Sequence, residues 1–140
     1  MIIPDVNIIV GALRLDDPRH SLLADWLAAA VRDPEPVGLP LFVLAGAVRV
    51  VTHPKVFRDP TPLACVISDL ERLVAEPGVV VLGEARFATL ARLCRQADAR
   101  GNLVPDAHLA ALAIDHGATL VTLDRDFARF PGLVWRGPEP

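Results

Sequence analysis

Lysine is almost missing from this chain: Lys55 stands alone beside 13 arginines in 140 residues. Cysteine is scarce as well. Cys65 and Cys94 match no zinc-site spacing and sit in apolar helical patterns, so both are expected to be reduced core residues. No long hydrophobic run occurs: the longest nearly uncharged stretch, residues 36–48, contains Pro40 and falls short of the ~20 residues a membrane helix needs. The N-terminus, "MIIPDVN", has no basic region and carries an acid at position 5. A secretory signal is therefore not expected, and the expected location is the cytoplasm, with no membrane partner. Repeats, low-complexity tracts and interdomain linkers are absent, which leaves one domain over residues 1–140 as the expectation.

What is present is an apolar, mildly acidic chain. It is 52% hydrophobic with a net charge of −3 and a mean hydropathy of +0.39, a composition that supports a real core and not disorder. An acidic total argues against a bulk nucleic-acid binder. Acids gathered in one site would still leave arginines elsewhere free to meet phosphates.

Hydrophobic spacing orders the elements. Ile2-Ile3 is a short strand ending at Pro4-Asp5, and Ile8, Ile9, Ala12 and Leu13 follow at helical spacing. Leu22, Leu23, Trp26, Leu27 and Ala30 mark a second helix, and Val37 to Leu39 a second strand. Helices are then expected around Leu41 to Val48 and Val66 to Val74, with Val79 to Leu82 as a β-branched strand between that pair and the next. A helix over Phe87 to Cys94 precedes one that starts at Pro105, carries Ala107, Ala110, Ala111 and Ile114, and stops at Gly117. Thr119 to Leu123 reads as a strand, Phe127 and Phe130 as a helical turn, and Leu133 to Trp135 as an edge strand. This alternation predicts an α/β fold with a mostly parallel central sheet and helices on both faces. Ligands of such sheets bind at the carboxyl ends of the strands.

That rule bears on "TLVTLDRDFARF", where an apolar strand runs straight into Asp124 and Asp126. A plain explanation is a helical turn capped by Asp124. Asp5, however, also ends a strand, and Asp106 lies in the first turn of a helix, where the macrodipole favours an anion. If the first and late strands are neighbours, these acids reach one crevice. Carboxylates held together need a shared cation, and oxygen donors without Cys or His select Mg²⁺ or Mn²⁺. Such a site can activate water and stabilise charge on a phosphodiester. Singly, each acid also has a structural explanation, as a turn or helix-start residue.

The segments "MIIPDVNIIVGAL" and "GNLVPDAHLAALAIDHGATLVTLDRDFARFPGL", with the order between them, resemble PIN-domain ribonucleases, and within them VapC-type toxins of toxin–antitoxin pairs. The resemblance covers essentially the whole chain. It implies a PIN-like fold and a Mg²⁺- or Mn²⁺-dependent endoribonuclease acting on RNA, dimeric and inhibited by a small VapB-type antitoxin. By it Asp5, Asp106 and Asp124 match the family's acidic positions and Asp126 a further acid; all four are expected to be catalytic and metal-holding. Asn7 and Thr122 fall where the family has polar residues that orient the first acid and the late-strand acid. One departure is Gly46, in "LPLFVLAGAVRVVTHP", where the family places a glutamate; another is Pro105, where relatives carry a small polar residue.

Around these, Arg125 and Arg129 are candidates to hold RNA phosphate or to pair with their acidic neighbours. His108 is placed to face the crevice, His116 reads as a helix-end cation, and His20 and His53 as structural or exposed. Homodimerisation is expected from two apolar segments, Ile8 to Leu13 and Leu63 to Val74. Gly46 motivates an alternative, a PIN scaffold that binds RNA or protein without cutting. A phosphoacceptor signalling domain also pairs acids at strand ends, but it uses a lysine after a late strand, and Lys55 lies on the wrong side of the order.

Overall fold

The computed structural model describes residues 1–139. In chain order the elements are β1 (Ile2–Pro4), α1 (Val6–Leu13), α2 (His20–Ala30), β2 (Val37–Pro40), α3 (Leu41–Val51), α4 (Leu63–Val74), β3 (Val79–Leu82), α5 (Phe87–Ala97), α6 (Leu103–Asp115), β4 (Thr119–Val121), a 3₁₀ turn (Arg125–Arg129) and β5 (Val134–Arg136). The strands form one sheet in the order β3-β2-β1-β4-β5, with every pairing parallel. Burial explains the residue choice: Ile3, Val37, Leu39, Leu120 and Val121 are fully enclosed, as central parallel strands covered on both faces demand.

From β1 the chain winds one way to β2 and β3, then returns past β1 to β4 and β5. Helices α1 to α4 pack in series, α1 on α2 and α3 and α3 on α4, while α5 and α6 pack on each other. The reversal falls between β1 and β4, and the crevice at that switch point opens at the carboxyl ends of those two strands.

Several boundaries differ from the sequence expectation. Helix α6 starts two residues before Pro105, at Leu103; a proline in the first turn costs nothing, because those N–H groups have no helical partner anyway. Strand β4 stops at Val121, not Leu123, where its register with β1 ends at Pro4, and Thr122 instead donates its N–H to Arg136 O at 3.0 Å. Strand β5 is correspondingly Val134–Arg136. Gly117 ends α6 in the left-handed region, φ 58°, as expected of a C′ glycine. Cys65 is exposed and Cys94 half-buried, so the expectation of two core cysteines fails. On the amphipathic α4 the buried stripe is Val66 and Leu70, and Cys65 falls beside it.

Close packing of α1 on α2 depends on Gly11, where a Cβ would lie 2.2 Å from Leu23 Cδ1. Beyond α1, the buried Arg14 clamps a loop. It grips Asp16 with two hydrogen bonds of 2.8 and 2.6 Å and donates to Asp59 O and Thr61 Oγ1. Its guanidinium sits 4.0 Å from the centre of the Phe57 ring. Among the described residues no helix is long and apolar enough to cross a membrane.

Asp115, at the last residue of α6, ties that helix to the start of α5. Its carboxylate accepts from Arg86 N (2.7 Å), from the Arg86 guanidinium (3.0 and 2.7 Å) and from Thr89 Oγ1 (2.7 Å). Desolvation pushes the carboxyl up, but the hydrogen bonds from Arg86 and Thr89 outweigh it and hold the pKa at about 2, against an ordinary 3.8. A depressed folded-state pKa contributes stability above the unfolded value, and that contribution is lost as pH falls through the folded one. Asp115→Asn is therefore expected to cost roughly 1–3 kcal/mol at neutral pH. Between pH 4 and pH 2 the wild type should lose more stability than the variant in denaturant titrations; parallel pH profiles would remove the tie from the stability of the fold.

Candidate active site

The β1–β4 register places Ile2 beside Thr119, Ile3 beside Leu120 and Pro4 beside Val121. One residue further, Asp5 and Thr122 emerge level with each other at the carboxyl edge, and Asp5 N donates to Val121 O at 2.9 Å. The Thr122 hydroxyl donates to Asp5 Oδ2 (2.7 Å) and accepts from Asn7 Nδ2 (3.2 Å) and Asp124 N (3.0 Å). Its one proton and both lone pairs are thus used. Asn7 Nδ2 also donates to Asp5 Oδ2 (2.7 Å), and its Oδ1 accepts from Leu123 N at 3.3 Å. Asp5 Oδ1 accepts from Val6 N at 2.6 Å and caps α1. Every one of these contacts joins residues that the sequence singled out or their immediate neighbours.

Asp5 is buried. Burial raises its pKa from the ordinary 3.8, the hydrogen bonds from Thr122, Val6 and Asn7 pull it back, and the charge of Asp124 adds to the rise. Asp106, in the first turn of α6, is half-buried and accepts no hydrogen bond among the described residues. Desolvation, then the charges of Asp5, Asp124 and Asp126, raise its pKa from 3.8 to about 6. A helix N-terminus favours the ionised form by only about 0.3–1 kcal/mol, so the repulsion and burial win. Asp5 and Asp106 line the same cavity, which places those two acids in one neighbourhood.

Asp124 and Asp126 stand on the open side, both exposed. Asp124 Oδ1 accepts from Asp126 N at 2.8 Å, so it does cap the 3₁₀ turn. Asp126 lies 3.5 Å from Arg129, and both are exposed. Arg125 is exposed and belongs to no ion pair among the described residues. The carboxylates ring the crevice without meeting at a point: among the described residues no three His, Cys, Asp or Glu side chains are grouped to hold an ion as placed. The donor set still fits a hard divalent cation, being all oxygen, excess in negative charge and including one carboxylate with no other partner.

Helix α3 forms the opposite wall. A cavity of about 140 Å³ is lined by Asp5 and Asp106 together with Phe42, Gly46, Arg49 and Pro105. Gly46 therefore faces the acids, and a Cβ there would meet only Val6 Cγ2, at 3.3 Å, among atoms closer than 4.0 Å. His108 stacks on Phe42 with ring centres 4.4 Å apart, and its Nε2 lies 2.9 Å from Glu84 Oε2. It thus adjoins the crevice and does not join the acids. The other histidines serve locally: His20 Nδ1 is 3.1 Å from Gly11 O, His53 Nδ1 accepts from Lys55 N, and His116 caps α6. Arg49 went unnoticed in the sequence. Only the helical offset of three from Gly46 could have flagged it, once Gly46 was placed at the site.

The PIN domain family matches residues 2–133. A VapC ribonuclease of Mycobacterium bovis, Mb2897, is 41% identical over 140 residues, covering 99% of this chain and 95% of that protein. Ribonuclease VapC25 of Mycobacterium tuberculosis is 36% identical over 135 residues, 95% of each. Among solved structures, VapBC2 from Rickettsia felis, bound to a DNA fragment from its promoter, superposes with a TM-score of 0.73 at 20% identity, covering 98% of both chains. Mycobacterium tuberculosis VapC20, a sarcin-ricin loop cleaving toxin, gives a TM-score of 0.67 at 19% identity over 96% of this chain and 97% of that one. The solved structures share the fold; identity of this extent to the curated relatives, over nearly the full length, places the chain in the PIN-domain family, among the VapC ribonucleases.

Proposed function

We propose that this protein is a Mg²⁺- or Mn²⁺-dependent endoribonuclease, the toxin of a VapBC-type pair, acting in the cytoplasm as one PIN domain over residues 1–140. The observation that carries the reading is geometric: Asp5 and Asp106 line one cavity at the carboxyl edge of the sheet, and the half-buried Asp106 accepts no hydrogen bond among the described residues. Negative charge gathered in this way is what a divalent cation neutralises. Asp5, Asp106 and Asp124 would hold the ion, with Asp126 assisting. Thr122 and Asn7 fix the rotamer of Asp5, and Thr122 also anchors the backbone of Asp124. Bound in this site, the cation would supply Lewis acidity to a phosphoryl oxygen and make a water easier to deprotonate.

Arg125 and Arg129 would meet the RNA backbone at the rim. The Arg129–Asp126 pair is exposed on both sides and so is weak enough to yield to a phosphate. For partners, a small VapB-type antitoxin and a second copy of the chain are proposed. The dimer rationale shifts with the structure: Ile8 and Ile9 are core residues with no exposed surface, whereas Leu41, Leu63 and Ile67 remain exposed along α3 and α4. The alternative raised by Gly46, a scaffold that binds without cutting, has less support, because the curated relatives carry ribonuclease names.

Three outcomes test the reading. Mn²⁺ at 100 times its Kd should stabilise the wild type by about 2.7 kcal/mol, and Asp5→Asn and Asp106→Asn should show far smaller melting shifts and no Mn²⁺-dependent RNA cleavage. Equal shifts in all three proteins would mean that the carboxylates do not act together. Thr122→Val is nearly isosteric yet removes the hydroxyl that serves three partners; cleavage should fall about 10–100-fold, and Thr122→Ser should restore most of it. If the valine variant cleaves like the wild type, Thr122 has no part in positioning Asp5. Gly46→Glu should add a ligand, tightening Mn²⁺ in calorimetry while lowering metal-free stability through added like charge. A stability loss that Mn²⁺ leaves unchanged would detach α3 from the metal site.

A further inference from the structure

Six arginines, Arg14, Arg19, Arg72, Arg86, Arg100 and Arg129, are each paired with an acid close in sequence or across a helix contact. Arg49 is different. It lies on α3 one turn beyond Gly46, is exposed, and lines the same cavity as Asp5 and Asp106. Among the described residues its side chain forms no ion pair. A cation in the last turn of a helix is favourable on any face; here it is set on the face that closes the carboxylate crevice. Arg125 and Arg129, the arginines nearest the acids in sequence, are not part of that lining.

The size and charge of the cavity say what it takes. At about 140 Å³ it is well below the roughly 300–1,000 Å³ that encloses a drug-sized ligand, so it admits a group and not a whole nucleotide. A phosphodiester approaching Asp5 and Asp106 meets repulsion from them. A guanidinium on the opposite wall offsets this, and its planar fork matches two phosphate oxygens at once. The glycine at position 46 puts no side chain between Arg49 and the acids.

We propose that Arg49 binds a non-bridging oxygen of the phosphodiester of single-stranded RNA that lies between α3 and the acids, making it a substrate-binding residue supplied by the wall opposite the carboxylates. The proposal rests on the endoribonuclease reading and adds a specific contact to it.

The test measures binding of a labelled single-stranded RNA that the wild type cleaves, in the Asp106→Asn background to prevent turnover, across a series of salt concentrations. Adding Arg49→Gln should weaken binding about tenfold and flatten the dependence of log K on log salt by about 0.7, one phosphate contact on a single strand. Adding Arg49→Lys should keep the slope while losing part of the affinity, since the charge stays and the fork goes. In the otherwise wild-type protein, Arg49→Gln should raise KM for the same RNA. Unchanged affinity and slope in the glutamine variant, while the wild type cleaves, overturns the assignment of Arg49 and leaves the endoribonuclease reading standing. The same holds if Arg49→Gln tightens Mn²⁺ binding with no effect on RNA, which would make Arg49 a counter-ion to the carboxylates. A wild type that neither binds nor cleaves RNA overturns both.

Discussion

The hydrogen bond from Thr122 to Asp5 is the contact on which the site depends. It joins residues 117 positions apart, and it exists because β1 and β4 pair in parallel with Pro4 opposite Val121. A slip of one residue in that register would turn the side chains of one strand to the other face. The buried carboxylate of Asp5 would then lose its donors and Thr122 its partners. The apolar demand of the sheet fixes the register, with Ile3 and Leu120 both enclosed. Core packing therefore sets the geometry of the polar residues just beyond the strand ends.

The acids divide the cost of crowding unequally. Asp5 is the most enclosed and is held by three donors; Asp124 stands in solvent and uses one oxygen to cap a turn. Asp106 has neither remedy, and its pKa rises to about 6. Structural and functional explanations of these residues do not compete here. Asp5 caps α1 and Asp124 caps the 3₁₀ turn, and a cap side chain retains acceptor capacity for another partner. Asp106 accepts no hydrogen bond among the described residues, which makes it the most telling of the four.

Helix α3 gives the crevice its individual character. Where the PIN pattern expects a glutamate, Gly46 leaves the wall open, and Arg49 brings a positive charge to the same cavity. Nearby, Phe42 at the start of α3 stacks on His108 in the second turn of α6 and braces the two helices against each other.

The sequence by itself determined the alternation of elements, the parallel sheet and the four candidate acids, because strands buried on both faces and amphipathic helices write their periods directly into residue order. It also indicated Asn7 and Thr122 through resemblance. It misjudged Cys65 and the Ile8–Leu13 segment, since a spacing pattern tells that a residue lies near an apolar stripe and not on which side of it. Only the tertiary structure decided that β1 lies beside β4, that three carboxylates bear on Asp106, and that Arg49 shares a cavity with Asp5. Those facts depend on distances between residues far apart in the chain, and electrostatic repulsion and desolvation act through space, where sequence separation has no meaning.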